Sequence, residues 1–422
     1  MWSISQAFKD AIRGEHQQAV KIEFLNSEFE VTSSDGTIDS CFCFDTDKEV
    51  ADFVSDGNID VDVDRLIRRT ASLTILNPTG KFTPRRSIEI DTDADGKPDD
   101  KSLIGYVYLN RYVRIYRGVH LPSKEHLYVP VGTFMIDVAD IIVERNMTVV
   151  NLTMSDLAKW LSKSVFKSPR KYEDGTFYNA IIKDIVNAAG IKDSMIRRID
   201  KLQDRDEEDK KIKKVLKFER GESRGEKLKE LCDKWDIDIY FDPEGMLVTE
   251  ERKKDINKPS VWNFSSIPGE GDGMLVSITR SLSDDNLYNH LIVVGTKDEK
   301  NPIVKKRENN NPKSKTSTQR IGDRVKYVES ERIGTNAEAE KVVERLWKRR
   351  LSYEETVSLT TICMPALEGN DIISVYDPNN SRIYDKKNNN KGKKYRLKRF
   401  NVPLVTSKQE IELMDTVSMD EL

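Results

Sequence analysis

The spacing of apolar residues changes twice along this chain, and these changes limit the folds available to it. From about residue 15 to 155, apolar side chains recur at every second position, as in KIEF, SLTIL and YVRIY. This alternation places one face of a strand in a core and the other in solvent. From about 156 to 255 the spacing becomes helical, and after about 270 the alternation returns. The sequence therefore predicts two β regions separated by a region that contains helices.

The first β region is rich in strands and poor in helices. Only its first residues have helical spacing, with Ile4, Phe8 and Ile12 on one face of a helix. Turn residues such as those of NPTG separate the later strands. Many short strands without helices between them favour an antiparallel barrel or sandwich. We therefore predict a first β domain over residues 1–155, beginning with a helix.

Residues 156–265 are predicted to form a small α/β insert. Ser155 or Asp156 is a suitable N-cap for its first helix, and Gly190 is a suitable residue just past the end of its second. The segment Asp242–Gly245 joins two alternating runs and is typical of a hairpin turn. The predicted helices have the sequences SDLAKWLSKSVF, TFYNAIIKDIVNAAG and SRGEKLKELCDKW.

Residues 266–422 are predicted to form a second β domain with one long helix. Alternation returns in MLVSITRS and NHLIVVG. Thr335 and Glu338 have the spacing of a capping box at the start of the helix TNAEAEKVVERLWKRR. The segment 298–320 is charged and poor in apolar residues, which predicts a long exposed loop. The predicted fold class is α+β, mainly β, with two β domains flanking the insert.

The composition argues against several classes of function. The 422 residues carry a net charge of −3, which gives no support for general nucleic-acid binding. Four cysteines are too few for a disulfide scaffold, and we interpret Cys41 and Cys43 as reduced core thiols rather than half of a metal site. The first residues do not have the apolar stretch of a signal peptide, and no run approaches the roughly 20 apolar residues of a membrane span. We therefore expect a protein made in the cytoplasm, with no membrane-spanning segment.

No motif in the sequence indicates an enzyme. The patterns G-x-S-x-G, H-E-x-x-H, the Walker loop and G-x-G-x-x-G do not occur. His120 and His126 flank a predicted hairpin tip, where a metal pair and exposed turn histidines are the two alternatives. Carboxylates that act on glycans rarely have a recognisable spacing, so a wall-active enzyme stays an alternative. Our prediction is that the protein is not an enzyme.

The aspartate-rich segment DTDADGKPDD has the spacing of a calcium loop. Three aspartates alternate and a glycine follows, which is the arrangement that wraps hard oxygen ligands around one ion. The pattern resembles the D-x-D-x-D-G-x-x-D loops of thrombospondin type 3 repeats, and it does not have the final glutamate of an EF-hand. A solvated acidic turn is the alternative. The predicted structural Ca²⁺ ligands are Asp91, Asp93, Asp95 and Asp99, with the backbone carbonyl of Lys97.

Six segments, taken in order, also carry a resemblance. The first three are VDVDRLIRRTASLTILNPTGKFTP, NRYVRIYRGV and YVPVGTFMIDVADIIVERNMTVVNLTMSDLAKWL. The others are LYNHLIVVGT, TNAEAEKVVERLWKRRLSYEETVSLTTICMPALEGNDIISV and YRLKRFNVPL. Their order and spacing, from about residue 10 to 415, resemble the tail-tip or baseplate hub proteins of tailed bacteriophages.

This resemblance implies a fold and an assembly. The two β domains would be antiparallel barrels related to the phage tail-tube protein. Three copies would form a ring in which six barrels make a pseudo-hexamer. The homotrimer would join the tail tube above to the tip below and line the channel for DNA.

The resemblance also implies partners and a location. A distal tail or tail-tube protein would lie above the ring, and tip, spike or fibre proteins would lie below it. The tape-measure protein would occupy the channel, and DNA would pass without sequence-specific binding. The protein would be a structural component of the virion, at the phage tail tip, assembled in the host cytoplasm. The alternatives are a host cell-wall-active enzyme and a calcium-dependent receptor-binding adhesin of the tail.

Overall fold

The computed structural model describes most of the chain. The described residues are 1–14, 16–26, 29–31, 37–41, 53–78, 82–83, 107–121, 123, 125–144, 147–203, 206–251, 258–283, 287–295, 302–330, 333, 335–350, 354–386 and 391–414.

The first part of the chain forms a helix and a curled antiparallel sheet. Helix α1 covers Gln6–Arg13 and begins at Ser5, whose side chain accepts a hydrogen bond from the Phe8 N–H. The strands follow in the order β3-β4-β7-β6-β5-β1-β2, and β2 lies beside β3. Their bounds are β1 Gln17–Leu25, β2 Thr37–Cys41, β3 Phe53–Asp62, β4 Arg69–Leu76, β5 Tyr112–His120, β6 His126–Glu144 and β7 Met147–Asp156.

The region after β7 mixes short helices and strands around its own core. The predicted hairpin is present, with Gly245 at φ +82° and the Asp242 carboxylate accepting from two backbone N–H groups of the turn. Gly190 follows the second helix at φ +96°, as predicted. The elements are α2 Ala158–Lys163, β8 Arg170–Tyr172, α3 Tyr178–Ala188, β9 Ile196–Arg198, β10 Leu216–Phe218, α4 Arg224–Lys234, β11 Ile237–Phe241 and β12 Leu247–Glu251. The core contains Leu161, Ile181, Ile185, Leu228 and Phe241.

The last part of the chain contains a closed six-stranded barrel. Its strands run in the order β19-β13-β14-β18-β21-β20, and β20 pairs back to β19. The elements of this part are β13 Trp262–Ser265, β14 Gly273–Ser283, β15 His290–Gly295, β16 Ile303–Glu308, α5 Thr318–Ile321, β17 Val325–Ser330, α6 Asn336–Arg350, β18 Glu354–Ile362, β19 Ile372–Tyr376, β20 Lys393–Pro403 and β21 Lys408–Met414.

Strand β13 departs from a purely antiparallel barrel. It lies parallel to both β14 and β19. The β13–β14 overlap is only two residues, Phe264 with Gly273 and Ser265 with Met274, so a short return loop suffices. Gly269 and Gly271 in that loop have φ values of +80° and +78°, which other residues rarely adopt.

Between β14 and β18 in the sequence, the chain forms a small separate sheet and one helix. The sheet has the order β16-β15-β17, and α6 packs on it through Leu291, Val293, Val343 and Trp347. The predicted capping box is confirmed, because the Glu338 N–H donates to the Thr335 hydroxyl (3.2 Å) and the Thr335 N–H donates to the Glu338 carboxylate (3.1 Å).

The prediction of a long exposed loop at 298–320 was wrong in part. This segment contains β16 and the short helix α5, whereas 298–301 lies outside the described residues. The strand was missed because two of its positions on the face toward α6 are charged. Lys305 pairs with Glu340 at 3.6 Å, and the Arg307 guanidinium lies 5.2 Å from the Trp347 ring. Long stems of lysine and arginine can cover apolar surface while their charges stay in water.

The predicted fold class, α+β and mainly β, is confirmed. One continuous core spans the first sheet and the closed barrel, from Phe24 and Phe134 to Tyr395 and Phe400. The N-terminal segment crosses between them, since α1 residue Arg13 pairs with Asp272 and the Met1 amino group pairs with Asp371.

Candidate functional site at the barrel junction and the strand edges

The first sheet curls until β2 lies beside β3, and we call it the first barrel; it meets the closed barrel edge to edge along β3 and β20. Five residue pairs form an antiparallel ladder, from Arg399 opposite Asp62 to Pro403 opposite Asn58. Through this ladder the first sheet and the closed barrel become one sheet of 13 strands. The junction is therefore built by main-chain pairing and not only by packed side chains.

Apolar side chains cover the inner face of this junction. Phe400 lies opposite Val61, and Val402 lies opposite Ile59. All four are at most 3% exposed. Cross-strand pairs of this kind are the main source of stability in a sheet.

An ion pair covers the other face of the junction. The Arg399 guanidinium donates to the Asp62 carboxylate at 2.8 Å and 3.2 Å, and Arg65 lies 3.1 Å from the same carboxylate. Burial opposes ionisation of Asp62, but the Asp64 N–H and Arg399 together hold its pKa below the ordinary value. Asp62 therefore stays charged and paired at neutral pH.

Arg69 connects the junction to the insert. This side chain is 1% exposed; it donates to the Phe241 carbonyl at 2.6 Å and pairs with Glu368 of the closed barrel. Its backbone N–H donates to the Asp156 carboxylate at 2.8 Å. Burial raises the Asp156 pKa to about 6. One buried side chain of the first sheet thus contacts both the insert and the closed barrel.

The two barrels repeat the same strand arrangement. Reading across each sheet, β3-β4-β7-β6-β5 corresponds to β14-β18-β21-β20-β19. The position next to β5 is taken by β1, which is antiparallel, whereas the position next to β19 is taken by parallel β13. The repeat therefore comprises five strands.

Two irregularities in the ladders fall at equivalent positions of the repeat, and a third, in the β5–β6 ladder, has no counterpart in the shorter β19–β20 ladder. Ser55 in β3 and Val276 in β14 are the extra residues where their ladders with β4 and β18 shift register. Asp137 in β6 and Lys398 in β20 are the extra residues opposite β7 and β21. A β-bulge bends and twists its strand, so matched bulges indicate matched barrel curvature.

A turn with unusual backbone geometry is also repeated. Asn110 before β5 has φ +65°, and Asn370 before β19 has φ +69°. Each donates its backbone N–H to a carbonyl of the long strand beside it, Asn110 to Ile136 at 2.9 Å and Asn370 to Leu397 at 3.0 Å. Asparagine is among the few residues that adopt positive φ readily. These matches align the barrels residue by residue.

The aligned strands differ in what covers them. The second half of β20 pairs with β3, but within the described part of the chain no strand pairs with the second half of β6 on the corresponding side. This half of β6 carries four exposed apolar side chains: Val138 46%, Ile141 39%, Ile142 43% and Val143 70%. An exposed apolar strand edge is a template for pairing with another chain.

Strand β14 presents a second open edge. Its ladder with β13 ends at Met274, and among the described residues no further strand pairs on that side. Met274 and Val276 are 55% and 47% exposed. The equivalent strand of the first barrel, β3, is largely buried because β20 covers it.

The predicted calcium ligands Asp91, Asp93, Asp95, Lys97 and Asp99 all lie outside the described residues. The calcium site therefore stays a prediction. Among the residues that are described, no group of three or more His, Cys, Asp or Glu side chains is placed to hold a metal ion.

The two histidines of the predicted hairpin tip are close together. His120 and His126 do lie opposite each other in the β5–β6 hairpin, with ring centroids 4.7 Å apart, and both are half-buried. The His126 Nδ1 lies 3.2 Å from the Tyr128 hydroxyl.

No described helix is long and apolar enough to cross a membrane. Sequence reasoning did not identify the open edges, and the exposed run VADIIV was the available signal.

Comparisons with known proteins were informative only at the level of structure. No protein-family model and no curated protein matches this sequence significantly. The tail protein from Neisseria meningitidis MC58 has a similar structure, with a TM-score of 0.59 at 11% identity, covering 94% of this chain and 96% of that one. The prophage MuSo2 43 kDa tail protein from Shewanella oneidensis has a TM-score of 0.57 at 11% identity, covering 96% and 98%.

A further similar structure comes from a different assembly. A chain of the Francisella PdpA–VgrG complex has a TM-score of 0.55 at 10% identity; the match covers 96% of this chain and 54% of that one. At these identities the likeness concerns the fold. The resemblance found in the sequence is confirmed at that level, because the chain has the fold of phage tail proteins.

Proposed function

We propose that this protein is a structural hub of a phage tail tip or baseplate, assembled as a homotrimeric ring. One observation carries the proposal: two barrels with the same strand order are joined edge to edge in one sheet, and no strand of the described residues pairs with the equivalent edges. The similarity in fold to two phage tail proteins, over nearly their whole length, supports it.

The repeat supports a ring in particular. A chain that already contains one barrel-to-barrel junction can form the next junction only with another copy. Because the open edges lie on different strands, the contact between copies is head to tail, which closes into a ring when the rotation fits. Three copies would supply six barrels, and this pseudo-hexamer would match a six-fold tail tube on one side and a three-fold tip on the other. In this assembly residues 1–155, 156–265 and 266–422 would be the three structural units.

The position of the ring defines its proposed partners. A distal tail or tail-tube protein would bind one face, and tip, spike or fibre proteins would bind the other. The tape-measure protein and then DNA would pass through the channel. The net charge of −3 suits passage of DNA without tight binding. The protein would act in the virion after assembly in the host cytoplasm.

The proposed role requires no catalysis. Both proteins of similar fold are tail proteins, which supports a non-enzymatic, structural role for this chain. We propose that Asp91, Asp93, Asp95, Lys97 and Asp99 bind one Ca²⁺ ion that holds the β4–β5 connection in a fixed conformation.

The test is the mass of the purified chain by light scattering, combined with negative-stain images. We expect a species of three times 48.5 kDa that appears as a ring. A strict monomer at all concentrations, together with lysis of bacterial walls in a gel assay, would favour the enzyme instead. A monomer that binds host cells in a calcium-dependent manner would favour the adhesin.

A further inference from the structure

We propose that the second half of β6 in one copy pairs with β14 of the next copy, and so repeats between copies the β20–β3 ladder within the chain. This inference rests on the proposed ring and identifies the strands that close it. In the repeat, β6 is the equivalent of β20 and β14 is the equivalent of β3.

The matched bulges set the register of this ladder. Aligning Asp137 with Lys398 makes Val138 the equivalent of Arg399. Aligning Val276 with Ser55 makes Ser283 the equivalent of Asp62. Transferring the observed ladder gives five antiparallel pairs: Val138 with Ser283, Ala139 with Leu282, Asp140 with Ser281, Ile141 with Arg280 and Ile142 with Thr279.

Hydrogen-bonding directions agree with this pairing. In the existing junction the Leu404 N–H donates to the Gly57 carbonyl at 2.9 Å, just beyond the five pairs. The equivalent residues are Val143 and Ile278. On β6, the Thr148 carbonyl opposite Val143 accepts from the Asn77 N–H at 2.8 Å on the β4 side, so Val143 directs its backbone groups away from β7. Because backbone groups alternate in direction along a strand, those of Ala139 and Ile141 also point outward, and those of Asp140 and Ile142 face β7.

Burial provides independent support. Two side chains that are buried in the existing junction have exposed equivalents at the open edges: Val402 is 2% exposed and its equivalent Ile141 is 39% exposed, and buried Ile59 has exposed Arg280 as its equivalent. A second copy would cover Ile141 and Ile142 with β14 and would cover the open side of β14. The register also places no like charges opposite each other, which favours the pairing.

Only a second copy fits both edges at once. In each copy, β6 of the first barrel would pair with β14 of the next copy, and β14 of the second barrel would pair with β6 of the copy before. Every junction between copies would then have the same geometry as the junction inside the chain. A different protein could satisfy one edge but would leave the other open. The pairing therefore predicts that a ring is complete without another protein at these edges.

Disulfide cross-linking tests the register. Directly opposite residues have Cβ atoms about 4.5–5.5 Å apart, within reach of a disulfide. In a background with Cys41→Ser and Cys43→Ser, we expect Asp140→Cys with Ser281→Cys to give covalent trimers on oxidation. The control combines Asp140→Cys with Ser277→Cys, four residues farther along β14 and about 13 Å away, and we expect monomers in denaturing gels.

A proline variant tests the ladder itself. Ile141→Pro removes an outward N–H and leaves the β6–β7 ladder intact, whereas Ile141→Val keeps that N–H. We expect Ile141→Pro to need about tenfold or higher protein concentration for assembly, with an unchanged circular dichroism spectrum.

The outcomes separate this inference from the proposed function. A ring of full mass that does not cross-link at Asp140 and Ser281, or that tolerates Ile141→Pro, would overturn the ladder while the ring stands. A chain that stays monomeric and does not cross-link even when concentrated would overturn both. Cross-linking of the Ser277 control with equal yield would show that the register is wrong.

Discussion

The junction strands β3 and β20 and their equivalents β14 and β6 occupy the same positions in the two barrels but have opposite surroundings. β3 and β20 cover each other, and Ile59 and Val402 are at most 2% exposed. β14 and the second half of β6 face solvent in the single chain. The sequence follows this difference, because Arg280 stands where β3 has Ile59. The open edge of β6 does not follow it, because Val138 stands where β20 has Arg399. A polar β14 edge lowers the risk that the exposed strands of single chains aggregate.

The largest expected difference between the two edges concerns their apolar side chains. Phe400→Ala leaves a cavity at the buried junction and should reduce the free energy of unfolding by about 3–5 kcal/mol. Ile141→Ala on the open edge should change it by less than about 0.5 kcal/mol in the monomer. Chemical denaturation of both variants measures this. Equal losses would mean that the β6 edge is already covered within the chain.

Removing Arg69 should weaken the connection between the barrels and the insert. Arg69→Met leaves Glu368 and the Phe241 carbonyl without their partner, and we expect a loss of about 3 kcal/mol. The control Arg198→Ala removes an exposed pair with Glu250 and should cost at most about 1 kcal/mol. If the insert and barrels unfold in separate steps in Arg69→Met but together in the control, Arg69 couples them.

The pH dependence of stability should have opposite signs at two carboxyls of the junction region. The Asp156 pKa is raised to about 6, so between about pH 4 and pH 6 the folded chain binds more protons there than the unfolded chain, and stability falls as pH rises. The Asp62 pKa is lowered, so its contribution is present above about pH 4 and is lost as pH falls through the folded pKa.

Unfolding free energies measured from pH 3 to 7 test both signs. Asp156→Asn should flatten the decline between pH 4 and 6, and Asp62→Asn should flatten the loss below pH 4. A decline between pH 4 and 6 that persists unchanged in Asp156→Asn would assign it to another group.

Replacing the asparagine in either of the two repeated turns should lower the free energy of unfolding, by more at Asn370 than at Asn110. Asn110→Ala and Asn370→Ala each force alanine into positive φ, which costs about 1–2 kcal/mol. Asn370 also donates to the buried Asp238 carboxylate at 2.9 Å, so its replacement should cost more. Glycine at either position should restore the φ contribution but not the Asp238 bond. If Asn110→Gly is as damaging as Asn110→Ala, positive φ is not the reason for asparagine there.

The smallest effect should come from calcium, and it should be confined to the first barrel. The β4–β5 connection spans 77–111 and contains the aspartate segment, whereas the equivalent connection in the second barrel spans only 363–371. At tenfold excess over its Kd, Ca²⁺ should stabilise the chain by about 1.4 kcal/mol. Asp93→Asn with Asp95→Asn should abolish this increase in thermal scans with Ca²⁺ and with chelator. An unchanged increase in the double variant would place the ion elsewhere.

Local patterns predicted the elements well where each element's own residues form its contacts. The capping box of Thr335 and Glu338 and the turn at Gly245 could be found from sequence because their partners lie within a few residues. Strand β16 was missed because its core-facing charges act through their apolar stems against Trp347, which is distant in sequence.

The residue-level repeat could not be seen in the sequence. Equivalent positions hold different residues, such as Phe400 and Ala139 or Ile59 and Arg280, because the side chains at these positions pack against different neighbours. The two barrels share backbone geometry: they have matched bulges, and each has an asparagine at positive φ, before β5 and before β19. Backbone geometry is compatible with many side chains, so it leaves little trace in composition or spacing.

By itself, the sequence determined the order of β, α/β and β regions, because hydrophobic period follows directly from helix and strand geometry. It also determined where most turns and caps lie. Only the tertiary structure decided which edges pair. Asp62 pairs with Arg399, which lies 337 residues later in the sequence. Strands β3 and β20 pair with each other, whereas their equivalents β14 and β6 have no such partner among the described residues. Strand edges present the same repeating N–H and C=O groups whatever their side chains, so their partners are selected by the packing of the whole chain.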